Sequence, residues 1–186
     1  AAAVAVLAGC AHPIVIAPDI GAVKTPAIPA VAKKAGYYIS AENKALEVTT
    51  PGGGGDKVRY FPYRDLETGL YKVLAGTFSS VTRLEQPPTP EVMRSQGLVF
   101  AITPKITTQS SSDSIFTWPP TSFTVELECR ILGDDGAEVG NLRVAGFGNA
   151  SFSEFVGNFG LAANRASTDA LNKLSIALEK LEVLRK

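Results

Sequence analysis

The chain has 186 residues, 45% hydrophobic and 19% charged, which suits one domain with a core plus appendages. Lys and Arg number 18 and Asp and Glu 18, so the net charge is zero and the basic excess usual in nucleic-acid binders is missing. No block of like charges reads as an electrostatic tail, and no apolar stretch reaches the roughly 18–20 residues that span a bilayer as a helix.

Residues 1–9, Ala-rich and apolar, are too short to span and too apolar for a solvated terminus. They have the character of the apolar core of a secretory signal with its small-residue end. Without a charged start or an initiator Met, the sequence is expected to be truncated at its front. Leu7-Ala8-Gly9-Cys10 resembles the lipobox of bacterial lipoproteins: leucine, two small residues, cysteine. The resemblance implies cleavage before Cys10 and acylation of Cys10 with fatty acids such as palmitate. One acyl chain binds a membrane marginally, whereas several make a stable anchor. The next residue is Ala11, not Asp, which by the same resemblance implies the outer membrane, facing the periplasm.

Residues 10–35 hold Pro13, Pro18, Pro26 and Pro29, a density that opposes both helix and central strand. They are expected to form a lipidated tether, with a single periplasmic domain over 36–186. Within that domain, Tyr37–Ser40 and Ala45–Thr50 are expected to form a small N-terminal hairpin. Gly52–Gly55 marks an oddly turned or partner-ordered loop. Asp65 could cap a helix running to about Phe78, which Gly69 and Gly76 would weaken. Ser80–Leu84 follows as a strand, and Thr89-Pro90-Glu91 with Gly97 brackets a short helix.

The clearest element is Phe123, Val125, Leu127, Cys129 and Ile131, alternating with polar residues in the period of a half-buried strand. Leu98–Thr108 is its expected neighbour, across a long connection at Ser110–Thr121. Asp134-Asp135-Gly136 predicts a hairpin turn. The next strand changes parity between Val139 and Leu142, which predicts a bulge near Gly140-Asn141. From Gly160 onward apolar residues recur at three- and four-residue steps through Leu184, an amphipathic helix that should close one face of the sheet. The expected fold class is α+β: a mainly antiparallel sheet with the C-terminal helix and a second helix on one face.

Little here points to chemistry. His12 is the only histidine and lies beside Cys10, which argues against histidine-based triads and metal sites. Cys129 alternates with core residues and reads as a buried hydrophobe. Glu126 and Glu128 share one strand face, where solubility explains them better than acid–base work. Asp134 and Asp135 suit a turn, and Gly52–Gly55 lacks the Lys-Ser/Thr ending of a phosphate loop. No cofactor or metal is expected, and the chain is not expected to be an enzyme.

The aromatic residues leave two readings open. They either fill a seam between hairpin and sheet or are displayed to a partner. Tyr60, Phe61, Tyr63 and Trp118, beside Gly or Pro on long irregular stretches, are the partner-binding candidates.

Lipobox, proline-rich stretch, strands and C-terminal helix together resemble the small outer-membrane lipoproteins of Gram-negative bacteria. The pattern is similar to YajG-like lipoproteins and, more distantly, to LPS-assembly and ABC-transport auxiliary lipoproteins. Leu7–Cys10 and the stretch from Gly97 to Leu184 carry the resemblance, with Gly160–Ala166 opening the last helix. It implies a non-catalytic, membrane-anchored accessory or structural subunit of a cell-envelope assembly with a protein partner and no nucleic acid. The alternative is a periplasmic binding module for a lipid, glycan or peptide. A concave pocket would favour the module, and a flat apolar patch or an open strand edge the subunit.

Overall fold

The fold is given by a computed structural model that describes residues 11–53, 56–112 and 119–185. The expected signal remnant, Cys10, Gly54, Gly55 and Trp118 lie outside the described residues. In chain order come β1 (His12–Pro13), β2 (Val31–Tyr38), α1 (Ala41–Ala45), β3 (Val48–Gly53), β4 (Asp56–Tyr60), α2 (Pro62–Thr77) and β5 (Phe78–Leu84). Then follow α3 (Pro90–Gln96), β6 (Phe100–Ser111), β7 (Ser122–Gly133), β8 (Glu138–Asn149) and α4 (Leu161–Lys180), with a 3-10 turn at Glu182–Leu184.

Five strands form the main sheet in the order β5-β2-β6-β7-β8, and three form a smaller one in the order β1-β4-β3. The class is α+β, as the sequence predicts. The long pairings, β6 with β7 and β7 with β8, are antiparallel. The sheet is nonetheless mixed, because β2 runs parallel to both β5 and β6.

Phe123, Val125, Leu127, Cys129 and Ile131 all point inward and are buried. Against them lie α2 and α4, which offer Leu66, Leu70, Val73 and Leu74, and Ala166, Ala170, Leu171, Leu174 and Leu178. A smaller cluster of Leu84, Met93, Leu98 and Ala101 gathers around α3. Thr89 caps α3 by accepting the Val92 N–H at 3.3 Å, and Gly97 ends it at φ 64°. The expected bulge lies one residue early: Ile131 pairs Gly140 and Leu132 pairs Glu138, so Val139 is the extra residue.

Cys129 is buried and free. Burial first, and then the charge of Glu128, push its thiol up to about 12. A thiol reagent should therefore modify Cys129 only after denaturation. Rapid labelling of the native protein, followed by mass spectrometry, would overturn this assignment.

Three expectations are corrected. The first is the tether over 10–35. Ile14, Ile16 and Val23 are buried, and Val31 begins the central strand β2. Proline opposes helix and ladder, but not an extended path docked on side chains. Here α4 supplies those side chains. Ser167 Oγ donates to the Ile16 carbonyl at 2.6 Å, and Asn164 Nδ2 to those of Val15 and Ala17 at 3.1 and 2.6 Å. Thr168 and Asn172 accept the N–H groups of Asp19 and Lys24 at 2.9 and 2.7 Å.

The second correction is the N-terminal hairpin. Tyr37 belongs to β2, Ala41–Ala45 is a short helix capped by Ser40, and the real hairpin is β3–β4. The third is the start of α2, which begins at Pro62 and not Asp65, because proline is suited to the first helical turn. The Asp65 carboxylate instead accepts the Ile16 N–H at 3.2 Å.

Candidate functional site

The partner-binding candidates part company in the structure. Tyr60 is 1% exposed and Tyr63 5%, so neither is displayed, which corrects that expectation for both. The Tyr60 ring meets Phe123 edge-on at 5.4 Å, and its hydroxyl shares a hydrogen bond with Thr108 Oγ1 at 2.7 Å. Tyr63 lies in the first turn of α2, and its hydroxyl accepts the Ile106 N–H at 3.2 Å. It satisfies a β6 main-chain group beyond the short pairing with β2. Of the three described candidates only Phe61 stays half-exposed, with the Arg64 guanidinium 3.7 Å from its ring centre. Trp118 and Cys10 lie outside the described residues.

Several titratable groups are engaged in structural pairs. Glu67 on α2 accepts from Lys44 Nζ at 2.6 Å and from the Tyr37 hydroxyl at 3.2 Å, with Arg83 Nε 3.6 Å away. Burial, and then the Glu67 charge, raise the Tyr37 hydroxyl to about 12. Glu126 and Glu128 accept from Arg143 at 2.9 Å and Asn141 at 3.1 Å across the β7–β8 pair. Among the described residues no three His, Cys, Asp or Glu side chains stand close enough to hold a metal ion. No described helix is long and apolar enough to cross a membrane. Gly52 and Gly53 end β3, which pairs antiparallel with the strand β4 and does not lead into a helix as a phosphate loop does.

The two edges of the main sheet differ. Along β8, α4 takes the place of a sixth strand. Arg165 donates to the Asn149 carbonyl at 2.7 Å, Asp169 accepts the Phe147 N–H at 2.9 Å, and Lys173 donates to the Ala145 carbonyl at 2.8 Å. Side chains four apart on a helix thus meet main-chain groups two apart on a strand. They can reach because Gly146 and Gly148 let the helix approach. At the opposite end, β5 pairs only with β2 among the described strands. Its Ser79, Ser80, Thr82 and Arg83 are exposed.

A second surface was not singled out from the sequence. Between β8 and α4, Phe152 is 65% exposed, Val156 73% and Phe159 47%. Buried Phe155 anchors this loop, with the Phe152 ring edge-on to it at 5.2 Å. The Glu154 carboxylate accepts the Ser151 N–H at 2.8 Å and an Arg165 hydrogen bond at 2.7 Å. The Arg165 bond first, and then the Ser151 bonds, hold the Glu154 carboxyl down at about 2. The legible signal was four bulky residues, Phe152, Phe155, Val156 and Phe159, spaced as on a helix but set among Ser, Asn and Gly, and the segment forms turns instead.

Comparison with known proteins adds to the fold. No family model and no curated protein matches the chain. Among solved structures it is similar to a Xanthomonas campestris protein of the DUF330 family, at 14% identity and TM-score 0.51, over 93% of this chain and 91% of that one. The fold is one already seen in a bacterial protein. Similarity is also found to the PelC dodecamer of Paraburkholderia phytofirmans, at 14% identity and TM-score 0.48, over 84% of this chain and 93% of that one. A minor lipoprotein of Acinetobacter baumannii gives 8% identity and TM-score 0.40, over 82% of this chain and 92% of that one. At these identities the first likeness speaks for the fold alone, and the other two carry no argument.

Proposed function

We propose that this protein is a non-catalytic lipoprotein of the cell envelope, anchored through Cys10, that serves as an accessory subunit and docks a protein partner along β5. The observation that carries the reading is the unequal treatment of the sheet edges. An uncovered strand edge is a template for pairing with another chain. Here one edge is closed by three α4 side chains, and the other pairs with no described strand on its outer side. The alternative, a binding module for a lipid, glycan or peptide, calls for an enclosed apolar pocket. The grooves described along Val15, beside α4 and beside β5 are open to solvent. The one beside β5, about 430 Å³, is lined mostly by polar side chains such as Arg83, Glu85, Gln86 and Glu91.

The lipobox supports the anchor, and Ala11 after the cysteine supports the outer membrane, periplasmic side. The resemblance to YajG-like and auxiliary lipoproteins supports the accessory role. Cys10→Ser should abolish palmitate labelling and leave an uncleaved precursor, and normal labelling of that variant would refute the anchor. Thr82→Lys, which places a charge on the β5 edge, should keep the label yet lose partners that co-purify with the wild-type protein from membranes. Unchanged co-purification would rule out the edge as the docking site.

A further inference from the structure

Between Cys10 and the folded body there is almost no free chain. His12 pairs with Val58 of β4, and the Ile14 N–H donates to the Arg59 carbonyl at 3.0 Å. Only Ala11 separates His12 from Cys10, two residue steps with a reach of about 7 Å at full extension. Acyl chains on Cys10 would therefore hold this end of the domain at the bilayer surface and not at the end of a tether.

The same end carries a group of exposed apolar side chains. Val15, 60% exposed, follows directly after β1. It lines one open groove with Phe159 and a second with Phe61 and Arg64. The Val15 carbonyl lies so close to Gly160 that a Cβ there would stand 2.5 Å from it, so the end of the β8–α4 loop abuts the start of the chain. The loop is held by the Ser151–Glu154–Arg165 bonds and by Asn158, which accepts the Gly160 N–H at 3.1 Å. Phe152 and Val156 are thus presented on constrained backbone. Exposed apolar groups gathered beside an anchor are the composition of a surface that enters the interfacial layer of a bilayer.

We infer that Val15, Phe152, Val156 and Phe159 form a bilayer-contact face that inserts shallowly beside the acylated Cys10 and fixes how the domain sits on the membrane. The inference rests on the lipoprotein reading and adds the occupant of this face, a lipid surface. The N-terminal segment then runs away from the membrane. From Ile16, held by Asp65 in the first turn of α2, it passes to Thr25, which packs on Gly76 in the last. That is eleven helical residues, about 16 Å. Exposed Ile28 consequently stands at the far end.

The test places a single tryptophan in the full-length acylated protein in a Trp118→Phe background, either as Phe152→Trp or as Ile28→Trp. Each protein is reconstituted into phosphatidylethanolamine–phosphatidylglycerol vesicles carrying brominated acyl chains, and palmitate incorporation is measured on the same samples. At position 152 the emission should shift to the blue and lose roughly half its intensity, the depth expected for an interfacial side chain. At position 28 it should be unaffected. Labelled protein with no quenching at 152, or with equal quenching at both positions, overturns the contact face and leaves the anchor standing. Absence of palmitate on the wild-type chain overturns both.

Discussion

Replacing Gly148 with alanine should cost about 3 kcal/mol of stability or more, the upper end for overpacking a tight contact. The added methyl would stand 2.0 Å from the Ala162 carbonyl oxygen and 2.5 Å from the Ala166 nitrogen. Both are helix backbone, which cannot rotate aside as a side chain can. Gly146 meets the same helix, with a Cβ position 2.2 Å from the Ala166 oxygen. Ala162, Ala166 and Ala170, four apart on α4, thus face two glycines of β8, a seam of small residues that brings helix and strand into near-contact. Moving α4 outward would also withdraw Arg165, Asp169 and Lys173 from the β8 main chain and uncover that edge. The variant should therefore unfold at lower urea and aggregate more readily. Phe147 between them points the other way and is 60% exposed, so Phe147→Ala should stay within about 0.5 kcal/mol. Equal urea midpoints for Gly148→Ala and wild type would show that the helix does not need this approach.

The same seam shows what a sequence displays and what it hides. The period-two run from Phe123 to Ile131 and the stepped apolar residues of α4 were legible because each reports its own burial. Thr89-Pro90 and Gly97 were legible because caps are local chemistry. What stayed hidden depends on distant partners. Gly69 and Gly76 read as weak points of α2, yet a Cβ at Gly69 would stand 2.6 Å from Pro18 and one at Gly76 2.5 Å from Thr25. These glycines are where the N-terminal segment crosses the helix, and Pro18, one of the prolines that made that segment look like a tether, sits in the contact. Strand β2 was hidden too: Lys33 and Lys34 break its apolar pattern, although Lys33 rests its ammonium over the Phe100 ring at 5.3 Å. For the site, the resemblance of Leu7–Cys10 to a lipobox is local and needs no distant partner to be noticed. The β8–α4 loop gains its meaning only from Val15, far away in sequence and adjacent in space.

Tyr60→Ala should destabilise the domain by about 3–5 kcal/mol, the range for truncating a large buried aromatic residue. Two losses add. The ring closes the core between β4 and β7, 1% exposed and edge-on to Phe123 at 5.4 Å. Its hydroxyl ties β4 to β6 through Thr108 at 2.7 Å and lies 3.5 Å from Thr50 Oγ1, which itself bonds Ser110 at 2.7 Å. Tyr60→Phe separates the two. It keeps the ring and leaves the Thr108 hydroxyl to find another partner, at a cost of about 1–2 kcal/mol. An interface residue would behave in the opposite way, with normal unfolding and weakened association. Urea denaturation of both variants, alongside co-purification from membranes, distinguishes the cases. Wild-type stability for Tyr60→Ala would return this ring to the partner-binding surface. Graded losses for the two variants would fix it as the joint between the small sheet and the large one, leaving the β5 edge and the β8–α4 loop as the surfaces that face outward.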